Sequence, residues 1–376
     1  MSSSSPRPPP TALCRGRARR SGAPCSTNTL PEARPELRAN TSLHRRATAR
    51  GSTNSRSNNK PSCTGQASTT RICPCWNPTA KKPGLRRVNM DARERYFWDL
   101  TGYLVVRNVL TAEELSACNA AVDHCMDRML QGPDNGGTQG RSNALQGTGQ
   151  QTLPNLLELP HPHCEPFRRL LVHPQVVLRL NAMCGKGFRH DHGPWVSYSP
   201  KGTEGLILHG AGEPHRPYVA YHHQNGQFHC AGVTVTWQLA DCKAGDGGFA
   251  CVPGSHKAKF PMPEGVRSCD EPLDVVHQPA LKAGDVIFFM DGAQTHGTLP
   301  WKSDVPRRSA LYKYSSRTAT RGGVSIELAE PEVYWDEAIV EGMTPEQRAV
   351  MYGPCSSIAQ KLHLQVDADG NVVLDK

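Results

Sequence analysis

The chain has 376 residues, with 43 Lys and Arg against 34 Asp and Glu. That surplus belongs to one end: residues 1–89 hold 17 basic residues against Glu32 and Glu36, leaving 26 basic and 32 acidic residues beyond them. A nucleic-acid reading of the net charge is thereby excluded for the body, and no apolar run approaches the roughly 20 residues needed to span a bilayer.

Residues 1–88, rich in Ser, Pro, Arg and Thr, have too little apolar surface to offset the entropy of ordering. They read as a disordered basic leader. It is an Arg- and Ser-rich transit peptide, a solvated tail that touches polyanions, or no part of the native protein, since Met90 opens a stretch that reads like a start. The expected location is cytoplasmic, with organellar import if the leader is real. Five of the 14 cysteines (Cys14, Cys25, Cys63, Cys73, Cys75) lie in the leader. The others show no zinc-site spacing, and no secretory apolar region precedes them, so reduced thiols in a soluble intracellular protein are expected.

The folded body is expected over 89–325, with a helical and strand-like extension over 326–376. Tyr103–Leu110 is apolar and β-branched, hence a strand. Thr111 caps the next helix, with Glu114 completing a capping box and Leu115, Cys118, Val122, Cys125 and Met129 forming its buried stripe. Gln131–Gln151 is a long polar loop, and Glu165–Met183 is helical with a break at Pro174. From Phe188 onward short strands alternate with turns: 195–199, 205–209, 233–239, 248–252, 285–290 and 308–314. Val233, Val235, Trp237 and Leu239 alternate with polar residues, as on a sheet with one buried face. The prediction is a mainly β protein with flanking helices and a jelly-roll, cupin-like core. After Ser325, two weakly helical pieces (331–341 and 344–352) precede a strand-like tail.

Several residues carry chemistry. His296 follows the apolar strand Val286–Met290 and the turn Asp291-Gly292, where a strand end meets a cavity mouth. An imidazole there can hold a metal, although a lone His is more often structural. Arg307 and Arg308 open the strand RSALYKY. Alternation sends them to opposite faces, so one enters the barrel and one the surface; a fixed guanidinium inside can grip a dicarboxylate. His209 ends the run GLILHG. In Arg189-His190-Asp191-His192, alternation places both histidines on one face and Asp191 on the other, so all three cannot hold one ion without a kink. His192 and Trp237 are candidate cavity-lining residues. His215, His222, His223 and His229 read as a polar loop, and the turn Gly245–Gly248 as architectural. Lys201 and Lys257 read as surface residues and His256 as structural.

The segments Thr234–Lys257 and Asp285–Tyr314 together resemble the phytanoyl-CoA dioxygenase family of Fe(II)- and 2-oxoglutarate-dependent oxygenases. The resemblance implies a double-stranded β-helix. O2 and 2-oxoglutarate would give succinate and carbon dioxide while a small organic substrate is hydroxylated. It implies His209 and His296 as metal ligands and Arg307, or Arg308 beside it, as the 2-oxoglutarate clamp. One departure stands out. Where the family has His-any-Asp, this chain has His209-Gly210-Ala211, and the carboxylate is absent. Another acid would then reach the metal (Glu213, Asp191 or Asp291), a halide would fill the position as in the related halogenases, or the barrel would bind a small molecule without oxidising it. Substrate identity and oligomeric state are not legible.

Overall fold

The computed structural model describes residues 90–210, 220–319, 329–355 and 362–375. Glu213, Ala211, His215 and the leader lie outside these residues. The described chain begins with α1 (Ala92–Thr101), whose N-cap Asp91 accepts the Glu94 amide at 2.8 Å and which ends on the left-handed Gly102. Then come β1 (Tyr103–Val106) and α2 (Ala112–His124), the latter closed by the expected Thr111–Glu114 capping box. The polar stretch that follows carries short strands at its margins, β2 (Leu130–Gln131) and β3 (Gln151–Leu153). The helical region is two helices, α3 (Glu165–Leu171) and α4 (Pro174–Met183), divided at Pro174.

The β-rich part comprises β4 (Arg189–Ser199), β5 (Leu206–His209), β6 (Tyr221–Gln224), β7 (Gln227–Cys230), β8 (Gly232–Gln238) and β9 (Gly248–Cys251). After the short α5 (Glu264–Arg267) come β10 (Val286–Met290), β11 (His296–Leu299) and β12 (Arg307–Ser315). The chain closes with α6 (Pro331–Tyr334), α7 (Glu337–Val340), α8 (Pro345–Met351) and the hairpin β13 (Leu364–Val366) and β14 (Val372–Leu374).

Two antiparallel sheets make the jelly roll. The larger runs β1-β10-β8-β12-β4-β3-β2 and the smaller β5-β11-β9. Strand alternation divides the side chains of the larger sheet between two layers. On one face Val233, Val235, Trp237, Phe288, Tyr312 and Tyr314 pack with Phe167, Leu171, Val176 and Leu180 of the helices. The Tyr312 and Tyr314 hydroxyls donate to the carbonyls of Phe167 and Leu171, both at 2.8 Å. On the other face Tyr103, Val105, Ile287 and Phe289 meet Phe249 and Cys251 of the smaller sheet. Trp237 therefore belongs to the helix-facing core, edge-on to His173 at 5.2 Å between ring centroids. The expectation that it lines the cavity is corrected: Thr234, Thr236 and Gln238, its alternating neighbours, occupy the face between the sheets.

A bulge corrects a second expectation. Lys313 pairs with His192 and Tyr314 with His190, so one step along β12 answers two along β4. The extra residue breaks alternation. His190 is buried among Tyr312, Tyr314 and Trp335, while His192 is 40% exposed and stacks on Trp195.

Candidate metal centre

His209 and His296 come from stretches 87 positions apart and sit directly opposite each other, as cross-strand partners in the β5–β11 pairing. Their ring centroids are 4.3 Å apart at 55°. Gly210 makes the approach possible. Its φ is +101°, and a Cβ there would fall 2.3 Å from the Gln294 carbonyl oxygen. A glycine is required at the middle of His209-Gly210-Ala211 whatever follows it.

Backbone carbonyls fix both rings. Nδ1 of His209 lies 3.0 Å from the Ile207 carbonyl and Nδ1 of His296 lies 2.8 Å from that of Gln294. A carbonyl can only accept, so each Nδ1 carries the proton and each Nε2 keeps its lone pair. His296 is buried against Phe289, and that burial, with His209 beside it, lowers its pKa to about 3. It is neutral at any ordinary pH. His209 is exposed.

Of the two candidate acids among the described residues, Asp291 lies beside His296. It is 6% exposed, in the turn between β10 and β11, with Oδ1 3.8 Å from His296 Nε2 and 2.6 Å from Lys313 Nζ. Asp191 accepts from Arg189 at 2.5 Å and bonds His192 at 2.7 Å. The ligand atoms of His209, His296 and Asp291 do not all fall within 4.8 Å of one another. Among the described residues only His161, Cys164 and Glu165 meet that criterion. Those lie around the start of α3, with His161 75% exposed and Glu165 shared with Arg168 at 3.7 Å, as in an ordinary surface cluster.

Arg307 and Arg308 divide as alternation predicts. Arg308 faces outward, paired with Asp123 at 2.7 Å and Asn119 at 3.2 Å. Arg307 is 5% exposed and faces the smaller sheet, where a Cβ on Gly248 would lie 3.0 Å from its Nε. Its guanidinium donates to Ser197 Oγ at 3.1 Å, and no carboxylate among the described residues pairs with it. Burial lowers its pKa from the ordinary arginine value. A buried cation without an anion is costly, by several kcal/mol on the usual scale. Along the neighbouring strand β8, Thr234 Oγ1, Thr236 Oγ1 and Gln238 Nε2 are buried with no hydrogen-bond partner. Gly248 lies against Arg307 and Cys251 opposite His296, three residues apart on β9, or roughly 10 Å of strand.

Lys313 was not singled out from the sequence, though alternation from Arg307 through Ser309 and Leu311 leads to it. Lys201 pairs with Asp304 at the surface, at 2.8 Å, and Lys257 with Asp99, also at 2.8 Å. His256 Nε2 bonds the Asp99 carbonyl at 2.9 Å, a structural role. A cleft lined by Arg107, Lys243 and Lys282 includes neither imidazole, and its Arg107 is already paired with Asp285 at 2.6 Å.

Two facing antiparallel sheets that set paired imidazoles and a buried guanidinium in one barrel define the class as a cupin-like double-stranded β-helix protein. The chain belongs to the phytanoyl-CoA dioxygenase (PhyH) family, whose model matches residues 98–309. Among solved structures it is similar to HygX from Streptomyces hygroscopicus with nickel and 2-oxoglutarate bound. The TM-score is 0.50 at 18% identity, over 62% of this chain and 90% of that one. EctD from S. alaskensis with 2-oxoglutarate and 5-hydroxyectoine is more distant, with a TM-score of 0.44 at 17% identity over 65% and 82% of the two chains. No curated protein matches the chain. Among the described residues no helix is long and apolar enough to cross a membrane.

Proposed function

We propose that this protein is an Fe(II)- and 2-oxoglutarate-dependent dioxygenase that hydroxylates a small organic substrate. One observation carries the reading: two imidazoles with free Nε2 lone pairs share a barrel with a buried guanidinium that no carboxylate among the described residues neutralises. The residues fit the cofactor set. His209 and His296 would hold the metal, and Arg307, with Ser197 beside it, would hold the distal carboxylate of 2-oxoglutarate. The roughly 10 Å of β9 between their neighbours suits a five-carbon dicarboxylate joined to both. HygX, solved with nickel, 2-oxoglutarate and hygromycin B, supports a small-molecule substrate by likeness of fold.

The bound metal would supply O2 activation, coupled to conversion of 2-oxoglutarate to succinate and carbon dioxide. The chain's own residues orient and insulate. The backbone carbonyls of Ile207 and Gln294 hold the imidazoles in one tautomer. Phe249, Phe289 and Trp301 keep one side of the barrel dry, and Thr234, Thr236 and Gln238 offer unspent polar groups to a bound ligand. Succinate release from 2-oxoglutarate with added Fe(II) is the test, since uncoupled turnover needs no known substrate. The wild-type protein should release succinate and His296→Ala should fall to background. Equal background in both would favour a barrel that binds without oxidising.

A further inference from the structure

We infer that Asp291 supplies the carboxylate that His209-Gly210-Ala211 lacks, entering the metal's ligand set from the turn before β11. The inference rests on the metal-dependent reading above and concerns which side chain completes the site.

Nδ1 of His296 donates to the Gln294 carbonyl, so Nε2 presents a lone pair. The atom facing it, 3.8 Å away, is Asp291 Oδ1, itself an acceptor. That separation is too long for a hydrogen bond. Two acceptors facing each other in a buried place repel, and a cation held by both would relieve that repulsion. Neighbouring ligands of a divalent metal, each about 2.0–2.2 Å from it, stand roughly 3 Å apart, so less than about 1 Å of closure brings Asp291 and His296 to that spacing, while drawing His209 into the same set takes a larger adjustment. The turn is braced for such a role. The Asp291 amide donates to Gly232 at 3.0 Å, the Gln294 amide to Met290 at 3.0 Å, and the Gln294 side chain to Thr101 at 2.6 Å.

Lys313 meets the same oxygen from the facing sheet at 2.6 Å, with its ammonium 5.9 Å from the centre of the Trp195 ring. It places a positive charge against this buried carboxylate, and carboxylate oxygen is what a hard divalent cation takes. The charge it brings also competes with a metal for Oδ1. That competition separates the ligand role from a plain buried ion pair.

The experiment is an anaerobic titration of the full chain with Co(II), then Fe(II), against a chelating dye, on wild type, Asp291→Asn, Lys313→Met and His296→Ala. Thermal melts of each serve as the control for folding. Asp291→Asn, which is isosteric, should weaken metal binding at least tenfold. Lys313→Met should bind metal as tightly as wild type or more tightly, although both variants lose the same ion pair and melt lower. Wild-type affinity in Asp291→Asn would overturn the assignment while leaving the oxygenase reading intact. Equal losses in Asp291→Asn and Lys313→Met would reduce the pair to a structural bridge, which also overturns it. No binding by the wild type, or undiminished binding by His296→Ala, would instead remove the metal centre on which the inference rests.

Discussion

Arg307 and Arg308 are adjacent, chemically identical and opposite in fate. Arg308 spends its charge on Asp123 at the surface, whereas Arg307 carries its charge into the barrel, where among the described residues Ser197 receives it. On the proposed function, that expense is met by a ligand that arrives later. Arg307→Met should therefore leave the ligand-free protein as stable as wild type, or raise its melting temperature. It should abolish the upward shift in melting temperature that 2-oxoglutarate with a divalent metal produces in the wild type. Differential scanning calorimetry with and without 2-oxoglutarate checks both halves. Gly210 is constrained in a different way, by backbone conformation. Gly210→Ala would force a Cβ against the Gln294 carbonyl at a positive φ and should cost roughly 1–3 kcal/mol, with weaker metal binding, because the same carbonyl orients His296. Urea unfolding and a metal titration would show the two losses together.

Among the secondary-structure elements, legibility followed the strength of the local signal. The capping box at Thr111 was readable because four residues decide it. Thr111→Ala should cost about 1 kcal/mol in urea unfolding while leaving metal affinity unchanged, since α2 lies on the helix-facing side of the larger sheet. Strands β8, β10 and β12 were readable from alternating or continuous apolar runs. Strand β11 was missed: His296-Gly297-Thr298-Leu299 is short and carries a glycine, and it is a strand because β5 and β9 pair with it on both edges. The hairpin β6–β7 was read as a polar loop, although its turn residues Asn225 and Gly226 both have positive φ and spell a common hairpin signal. The β4 bulge was invisible, because an inserted residue appears only when the partner strand is counted against it.

Across the folded chain, the buried histidines make stability depend on pH. His190 is fully buried, donates Nε2–H to the Gly193 carbonyl at 3.1 Å, and has its pKa lowered to about 4, chiefly by burial. In the unfolded chain it takes a proton near pH 6.5 and in the folded chain only near 4, so below 6.5 the unfolded state binds more protons. Stability should be full above about pH 6.5 and fall as the pH drops towards 4, by on the order of 3 kcal/mol from this residue. His190→Gln should flatten that slope in melting temperatures taken from pH 7 to 4.5. A slope unchanged in the variant would assign the acid sensitivity to other groups.

The period of two in a strand is a local steric fact, and so it was readable from order alone that Arg307 and Arg308 face opposite ways and that the segments around His209 and His296 resemble one family's site. Distances across the barrel are not local. That Asp291 lies 3.8 Å from His296, that Lys313 meets it, and that Trp237 turns to the helices all depend on how the strands pair and where β4 bulges. Those pairings sum many weak contacts between residues far apart in the chain, and only closing the two sheets on each other settles them.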